Sequence, residues 1–461
     1  MKKTLPLILF LLSFSGIFAQ NYYMSAPEGF GAAATGGGTP TAANTVTVTN
    51  YDQLTAALSS KTTANSVILV SGTIIFPKLY KVTLSNKTII GLPGARFQNT
   101  QIIVGDSPAS KAVSGILYIQ KTSDNVIIRN IIFQGPGAYD VDGEDNLTNE
   151  GTNVWVDHCE FQDGMDGNFD IKGAADNITV SWCKFTYLKA PTAGGSGGSA
   201  DHRFSDLVGS SVTDAPTTDG RFSVTFKNCY WADGCKERMP RARNAELHLL
   251  NCYYKTSVSS AKAIGLGAGN NGTTCYVEGC DFAQIATLSS PVSEGTDPTN
   301  VGLTAVDCVK GIPSVAVNPS YGKTISKPSY VYTTFDNVED VATYVGNANC
   351  GAGATLQVTA TGVISSGCDT NLGVDNNEAN LEVKIYPTVL DNVLNIEFSS
   401  IENGKAVVDI FSSNGSKVLT LSKSVTANEK LELNVANLST GIYVCKVQID
   451  NRVKTFKVLK N

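Results

Sequence analysis

The stretch "VWVDHCEFQDGMDGNFDIKGAADNITVSWCKF", residues 154–185, contains one eight-residue pattern twice, once at each end. "VWVDHCEF" and "ITVSWCKF" each open with two apolar residues in alternation, bend near the fifth position, and carry a cysteine sixth and a phenylalanine eighth. Alternation with a period of two predicts a β-strand. The chain therefore contains a strand that recurs after 24 residues.

The same pattern recurs along the middle of the chain. The further copies are "VIIRNIIF" (126–133), "VTFKNCYW" (224–231), "LHLLNCYY" (247–254) and "CYVEGCDF" (275–282). Successive starts are 28, 24, 46, 23 and 28 residues apart, and we interpret 46 as two steps with a degenerate copy between them. A recurrence of this length, with one strand per copy running in the same direction, predicts an all-β fold, a right-handed parallel β-helix. A sandwich of hairpins would need frequent tight turns, and these are sparse.

Five of the eleven cysteines occupy the sixth position of this pattern: Cys159, Cys183, Cys229, Cys252 and Cys280. Equivalent positions in stacked coils face the same way, so we expect an interior ladder of small apolar groups instead of mutual disulfides. Cys350 with Cys368 and Cys229 with Cys235 are the candidate pairs. Trp155 and Trp182 are expected to pack between coils, His158 to be a structural hydrogen-bonding residue, and His248 to lie at the surface.

Composition divides the chain into four parts. Residues 1–19 have the lysines, apolar run and small residues of a secretory signal peptide, 20–350 form the β-helix, 351–379 are a linker rich in Gly, Thr, Ser and Asn, and 380–461 alternate as a small β-sandwich. We expect an exported, soluble monomer. The net charge of −6 leaves no basic face for nucleic acid.

Acidic residues gather on two neighbouring segments. In "DGMDGNFDIKGA" (163–174), Asp166 and Asp170 lie on the strand face opposite Phe169. The preceding coil contributes "YDVDGEDNL" (139–147), with Asp140, Asp142, Glu144 and Asp145. Oxygen ligands without histidine or thiolate suit calcium. Asp beside Gly is also common in turns, which is the structural alternative.

The segment "ERMPRARNAELHLLNCYY" (237–254) places Arg238, Arg241 and Arg243 directly before a strand of the repeat. A basic run is usually a solvated surface patch. Here Pro240 restricts the backbone next to a core strand, which favours a binding site for a negatively charged group.

Residues 154–185 together with "RFSVTFKNCYWADGCKERMPRARNAELHLLNCYY" (221–254) resemble the pectate lyases of polysaccharide lyase family one. The resemblance extends over residues 45–310 and implies the same β-helix, calcium as cofactor, and β-elimination of polygalacturonate or pectin. It implies calcium ligands at Asp142, Glu144, Asp166 and Asp170. It further implies Arg238 as the base and Arg243, with Arg241 and Lys236, as ligands of substrate carboxylates.

One position departs from the family pattern. Phe204 stands in "HRFSDLVG" where the family has a lysine, so Arg203 or Lys236 is expected to supply the missing charge. Alternative functions are a pectin lyase, which would lack the carboxylate sites, a galacturonan hydrolase, which would not need three arginines, and a non-catalytic polysaccharide-binding surface protein.

Residues 381–461 resemble the C-terminal sorting domain of the type IX secretion system. The matching features are "IYPTVLDNVLNIEF", "IFSSNGSKV" and "LSTGIYVCKV". The resemblance implies recognition by the type IX machinery and delivery to the cell exterior. A carbohydrate-binding sandwich is the alternative, but the aromatic residues that a sugar platform requires are scarce.

Overall fold

The computed structural model describes residues 22–102, 111, 113–291, 298–368, 383–398, 404–412, 417–426, 429–449 and 452–460. The predicted signal peptide lies outside these residues. The chain forms two compact units, Met1–Asp369 and Thr370–Asn461. In the part of the chain that is described, no helix has the length and apolar character needed to cross a membrane.

Successive coils of the first unit add strands to three sheets, here named A, B and C. Neighbouring strands are parallel, except that Ser320–Gly322 in sheet A and Val315–Ala316 in sheet B pair antiparallel with the strand beside them. Sheet A contains Thr45–Val48, Val67–Val70, Ser85–Gly91, Asp124–Arg129, Thr152–Asp157, Asp176–Ser181, Phe222–Lys227, Ala245–Leu250, Thr273–Glu278, Val301–Val306 and Ser320–Gly322. Sheet B contains Thr73–Ile75, Arg96–Gln98, Ile132–Gln134, Glu160–Gln162, Lys184–Thr186, Tyr230–Trp231, Tyr253–Lys255, Asp281–Gln284, Val309–Lys310 and Val315–Ala316. Sheet C contains Tyr80–Val82, Leu117–Ile119, Leu147–Asn149, Gly167–Ile171, Phe204–Val208, Arg241–Ala242, Lys262–Leu266 and Thr287–Pro291. This arrangement confirms the predicted parallel β-helix.

The bend between sheets A and B is made by a left-handed residue at the fifth position of every copy of the repeat. The φ angles are 60° at Asn130, 46° at His158, 49° at Trp182, 56° at Asn228, 51° at Asn251 and 60° at Gly279. Asparagine and glycine tolerate this conformation better than other residues. One left-handed residue per coil therefore turns the chain out of sheet A at the same place each time.

Two interior ladders follow that bend and form much of the core. All five sixth-position cysteines are completely buried and free, as predicted. The eighth-position aromatic residues form the second ladder, in which consecutive ring centroids lie between 4.4 and 5.5 Å apart from Phe133 through Phe282. The candidate pair of Cys229 with Cys235 is wrong, because both thiols are free and each is buried among core side chains.

The 46-residue step is a single coil, so the predicted degenerate copy does not exist. The sheet A strand Asp176–Ser181 pairs directly with Phe222–Lys227, in parallel. The additional residues form insertions on either side of the sheet C strand Phe204–Val208. The first of these, residues 187–203, runs beside the candidate site described below.

A short helix packs against the first strands of the β-helix. The helix Tyr51–Ser59 buries Leu54 and Leu58 in the core, and Asn50 accepts a hydrogen bond from the Gln53 amide at 3.0 Å as its N-cap. The other helices are Asp340–Tyr344 and the 3₁₀ segments Phe30–Ala33, Thr63–Asn65 and Pro298–Asn300.

Much of the predicted linker 351–379 is folded. Leu356–Val358 and Ile364–Ser366 form an antiparallel hairpin, and Leu356 and Val358 pack against Val67, Leu69 and Ile90. The disulfide of Cys350 with Cys368 closes this segment with a Cα separation of 5.5 Å. Apolar side chains at alternate positions, inconspicuous among Thr and Gly, hold the hairpin on the first unit.

The second unit contains two sheets and has a core of its own. Its strands pair antiparallel, except that Val389–Leu390 pairs in parallel with Arg452–Lys460. One sheet contains Val383–Tyr386, Val393–Phe398 and Lys430–Asn434. The other contains Val389–Leu390, Gly404–Ser412, Lys417–Val425, Gly441–Ile449 and Arg452–Lys460. Side chains alternate between buried and partly buried along Gly404–Ser412 and Gly441–Ile449, in accordance with the predicted β-sandwich.

His158, at a bend between sheets A and B, and His248, on a strand of sheet A, are both buried. His158 fulfils its predicted structural role, with ring nitrogens 2.9 Å from Asp157 Oδ2 and 3.0 Å from the Tyr22 carbonyl oxygen. The surface position predicted for His248 is wrong, because a segment containing Tyr330 covers it and the Tyr330 hydroxyl is 2.7 Å from His248 Nδ1. Burial works against ionisation of the neighbouring Glu278, but His248, Tyr332 and Lys327 lower its pKa to about 2.

Candidate active site

A cavity of about 530 Å³ lies on the outer face of sheet C. Six of the nine predicted site residues line it: Asp142, Asp166, Asp170, Arg238, Arg241 and Arg243. Glu144, Arg203 and Lys236 are not among its lining residues. The fold therefore brings most of the predicted acidic and basic residues, more than 60 positions apart in sequence, to one place.

Strand alternation and register explain this convergence. In Gly167–Ile171, Phe169 and Ile171 point into the core, and Asp170 between them faces outward. Asp170 is in register with Leu207 on the next strand, and Leu207 with Arg241 on the one after it. Acidic and basic side chains therefore line one row along the β-helix.

The preceding coil contributes Asp145 to the cavity. The family resemblance had implied Glu144 as a ligand from this coil. Leu147 pairs with Phe169, so Asp145 lies level with Gly167, where a Cβ would approach Asp145 Oδ1 to 2.7 Å. Glu144 instead forms an ion pair with Lys81 at 3.3 Å. Asp142 lines the rim, with a side chain that is 73% exposed and paired with Lys111.

The carboxylates are crowded and partly balanced by Lys172. Burial and the charge of Asp170 raise the pKa of Asp145 well above its usual range, and burial also raises the pKa of Asp170. Lys172 Nζ lies 3.7 Å from Asp170 Oδ2 and 3.9 Å from Asp145 Oδ2. Burial opposes the charge on Lys172, but Asp170 and Asp145 raise its pKa. Burial and mutual repulsion therefore oppose ionisation of these carboxyl groups, and Lys172 offsets that effect only in part.

The donor set of this cluster fits calcium. Asp145, Asp166 and Asp170 supply carboxylate oxygens alone, from two adjacent coils, and hard divalent cations prefer such ligands. Among the described residues, no group of three or more His, Cys, Asp or Glu side chains has the arrangement of a ready metal site. Asp166 Oδ1 is held by His202 Nε2 at 2.6 Å.

The arginines face the same cavity from different backbone positions. Arg238 has a φ of 60°, an unfavourable conformation for a residue with a long side chain. Arg241 belongs to the sheet C strand. Arg243 is 4% exposed and donates from Nη1 to the Gly209 carbonyl oxygen at 3.0 Å.

The two residues expected to replace the family lysine are directed elsewhere. Arg203 forms a two-pronged interaction with Asp201, with both N···O distances at 2.7 Å. Lys236 Nζ donates to the Asp201 carbonyl oxygen at 2.9 Å. Phe204 occupies the position itself, with the Arg238 guanidinium carbon 4.2 Å from its ring centroid.

The 187–203 insertion forms one wall of the cavity through Ser196, Gly197 and His202. Asp140 anchors this wall, since its carboxylate accepts hydrogen bonds from the backbone of Gly195 at 3.2 Å and of Ser199 at 2.9 Å. The sequence analysis did not identify Ser196, Gly197 or His202 as residues of the cavity. The strand pattern of the repeat does not extend into the insertion, so the sequence does not show which of its side chains face the cavity.

Residues 9–357 match the family model described as pectate lyase, and the chain belongs to that family. It is 30% identical to the pectate lyase of Bacillus subtilis over 316 residues, covering 52% of this chain and 70% of that protein. It is 35% identical to the pectate trisaccharide-lyase of Thermotoga maritima over 232 residues, covering 48% of this chain and 53% of that protein. The chain thus spans about half the length of the Thermotoga relatives it matches.

Solved structures show the same fold. A mutant of the Bacillus subtilis pectate lyase gives a TM-score of 0.54 at 21% identity, covering 72% of this chain and 98% of that one. A pectate lyase from Paenibacillus sp. 0602 gives 0.52 at 20% identity, covering 72% and 96%.

Residues 384–461 match the secretion system C-terminal sorting domain. The second unit is therefore a sorting domain, as predicted, and the protein is secreted or displayed at the cell surface. The candidate site lies wholly within the first unit.

Proposed function

We propose that this protein is a calcium-dependent pectate lyase that cleaves polygalacturonate by β-elimination and releases unsaturated oligogalacturonides. The observation that carries the proposal is the single cavity lined by Asp145, Asp166 and Asp170 together with Arg238 and two further arginines. Polygalacturonate has a carboxylate on every sugar, and guanidinium groups bind carboxylates through two parallel hydrogen bonds.

The arginines have separate tasks in this reaction. Arg243, with Arg241, binds and orients substrate carboxylates, because its backbone contact to Gly209 fixes the direction of the buried guanidinium. Arg238, as the neutral guanidine, accepts the proton from the carbon next to the substrate carboxylate. The electron pair of that C–H bond then forms the carbon–carbon double bond as the bond to the glycosidic oxygen breaks. That oxygen leaves with the electron pair of the broken bond and takes up a proton from water.

Asp145, Asp166 and Asp170 would hold calcium. In this proposal Asp145 replaces Asp142 and Glu144, the two ligands that the family resemblance implied on the preceding coil. When bound, calcium would offset the negative charge of the uronate carboxylates and stabilise the charge that develops as the proton leaves. His202 keeps Asp166 oriented toward the cavity. We further propose export through the type IX machinery and action as a monomer.

The deciding experiment incubates the purified protein with polygalacturonate, with and without a calcium chelator, and follows both ultraviolet absorbance and reducing ends. Chelator-sensitive growth of both signals supports the proposal. Reducing ends without absorbance would identify a hydrolase, and binding without cleavage a polysaccharide-binding protein. Activity confined to methyl-esterified polymer would identify a pectin lyase. Arg238→Lys, with circular dichroism to confirm folding, should lose about a hundredfold to ten-thousandfold in turnover.

A further inference from the structure

One peptide group connects Arg243 to a carboxylate that is not among the lining residues of the cavity. This group joins Gly209 to Ser210, directly after the sheet C strand Phe204–Val208. On one side, the Gly209 carbonyl oxygen accepts the hydrogen bond from Arg243 Nη1 at 3.0 Å. On the other side, the amide and the hydroxyl of Ser210 both donate to Asp214 Oδ2, at 2.8 and 2.7 Å. Arg243 and Asp214 therefore hold the same peptide group from opposite sides.

The planarity of the peptide group couples these two contacts. The Gly209–Ser210 peptide bond is trans, so its C=O and N–H bonds point in opposite directions and turn together. The sheet fixes the preceding peptide group, because the Gly209 amide donates to the Ile171 carbonyl oxygen at 2.9 Å. Gly209 has a φ of 78° and no side chain to restrict rotation about its Cα–C bond. The direction of the carbonyl that anchors Arg243 therefore depends on Asp214.

Asp214 also joins the two segments that contribute cationic side chains to this part of the cavity. Its carboxylate accepts a hydrogen bond from the Gly173 amide at 3.1 Å, and Gly173 directly follows Lys172. Its carbonyl oxygen accepts one from Asn244 Nδ2 at 2.7 Å, and Asn244 directly follows Arg243. Asp214 is thus held in place by the backbone of both neighbouring coils.

We propose that Asp214 is a positioning residue for Arg243, and that it aligns the guanidinium with a substrate carboxylate through the Gly209 carbonyl. The inference rests on the proposed function, in which Arg243 binds substrate. A guanidinium forms two parallel hydrogen bonds with a carboxylate only when the two planes are aligned. Fixing the Arg243 plane before substrate arrives reduces the entropy lost on binding. Loss of Asp214 therefore weakens substrate binding more than it slows the chemical step.

Two variants of Asp214 and one control measure this effect on polygalacturonate. Asp214→Ala should raise KM roughly 2- to 12-fold, the range that one hydrogen bond supports, with kcat nearly unchanged. Asp214→Asn keeps one acceptor oxygen and should raise KM less. Asp219→Ala is the matched control, since Asp219 is exposed, does not line the cavity and accepts only from the Arg221 amide among the described residues, at 2.9 Å. It should leave KM unchanged.

A double-mutant cycle with Arg243→Lys distinguishes positioning from a general structural role. An ammonium cannot use the alignment that Asp214 provides, so Asp214→Ala should raise KM little further in the Arg243→Lys background. An equal rise in KM in both backgrounds would overturn the positioning role. A lowered melting temperature with unchanged KM in both Asp214 variants would overturn it as well. If circular dichroism shows that Asp214→Ala does not fold, Asp214→Asn takes its place in the cycle.

The same measurements separate this inference from the proposed function. If the unmodified protein releases no unsaturated product from polygalacturonate, the proposed function fails. If it does release product, and Arg243→Lys raises KM while the Asp214 variants do not, only the positioning role is lost. An unchanged KM in Arg243→Lys would remove the substrate contact that Asp214 is proposed to align, and the inference with it.

Discussion

Replacing Asp145 by asparagine should weaken calcium binding without unfolding the protein. The side chain is buried beside Asp170, and asparagine keeps its size and an oxygen that can accept the hydrogen bond from the Thr148 hydroxyl, now at 3.1 Å. What is lost is one charged ligand. A hydrogen bond or contact to a charged group contributes about 1.5–3 kcal/mol, which corresponds to roughly a 10- to 150-fold rise in the calcium Kd.

Glu144→Gln is the matched control, one residue away. The carboxylate of Glu144 is paired with Lys81 at 3.3 Å, and the Lys81 side chain is 47% exposed. Surface ion pairs of this kind contribute about 1 kcal/mol or less. The control should therefore bind calcium as the unmodified protein does.

Calorimetric titration with calcium and melting curves at several calcium concentrations measure both effects. At a concentration near 100 times its Kd, a ligand stabilises the folded state by about 2.7 kcal/mol, and Asp145→Asn should lose most of that gain. The calcium-free melting temperatures should be similar. If Glu144→Gln weakened calcium binding and Asp145→Asn did not, the proposal that Asp145 is the ligand would be refuted. Glu144, a ligand that the family resemblance implies, would then be the correct one.

Three further predictions concern Arg243, Glu278 and the 356–366 hairpin. Arg243→Lys should raise the KM for polygalacturonate about tenfold or more, because an ammonium cannot reproduce the two-pronged contact; an unchanged KM would show that this residue does not bind substrate. Since Glu278 has a folded pKa of about 2 against its ordinary 4.5, it stabilises the fold above about pH 4.5 and this is lost as the pH falls toward 2, so Glu278→Gln should flatten that part of a melting-temperature profile. A chain ending at Asp369 should keep lyase activity and lose export, whereas one ending before the 356–366 hairpin should also lose about 3–6 kcal/mol of stability, because Leu356 and Val358 no longer cover the β-helix. Equal melting temperatures of the two truncated proteins would contradict the folded role of the hairpin.

The fold was predictable because each coil packs residues of the same kinds at the same positions. A left-handed fifth residue, a small sixth residue and an aromatic eighth residue leave a pattern visible in sequence, even where His158 or Trp182 replaces the favoured asparagine. The 46-residue step was misread because an insertion of one coil's length is indistinguishable by spacing from an additional coil. Strand pairing between Ile178 and Val224 resolves the ambiguity.

The site was predictable only as far as the strand alternation reached. Asp170 follows from its position between two core residues, and the arginine segment follows from the family motif. The family resemblance implied Glu144 instead of Asp145, because residues of a loop cannot be aligned by strand alternation. The pairing of Leu147 with Phe169 places Asp145 beside Gly167, which has no side chain and so leaves room for the carboxylate. The contact of Phe204 with Arg238 depends on the insertion that precedes Phe204. The repeat pattern does not determine the conformation of such an insertion.

Leu207 separates Asp170 from Arg241 within the row that lines the cavity, although the charge of Arg238 still favours ionisation of Asp170. It stands in register between Asp170 and Arg241, so two strand spacings of roughly 4.8 Å separate the charged residues. The backbones of Asp170 and Arg241 are therefore about 10 Å apart, so only the length of the arginine side chain can bring the two charges closer. An uncharged side chain in the middle strand therefore leaves the carboxylate side available to a cation and the arginine side available to an anionic polymer. A substrate that carries negative charge on every unit and binds across both sides needs that separation.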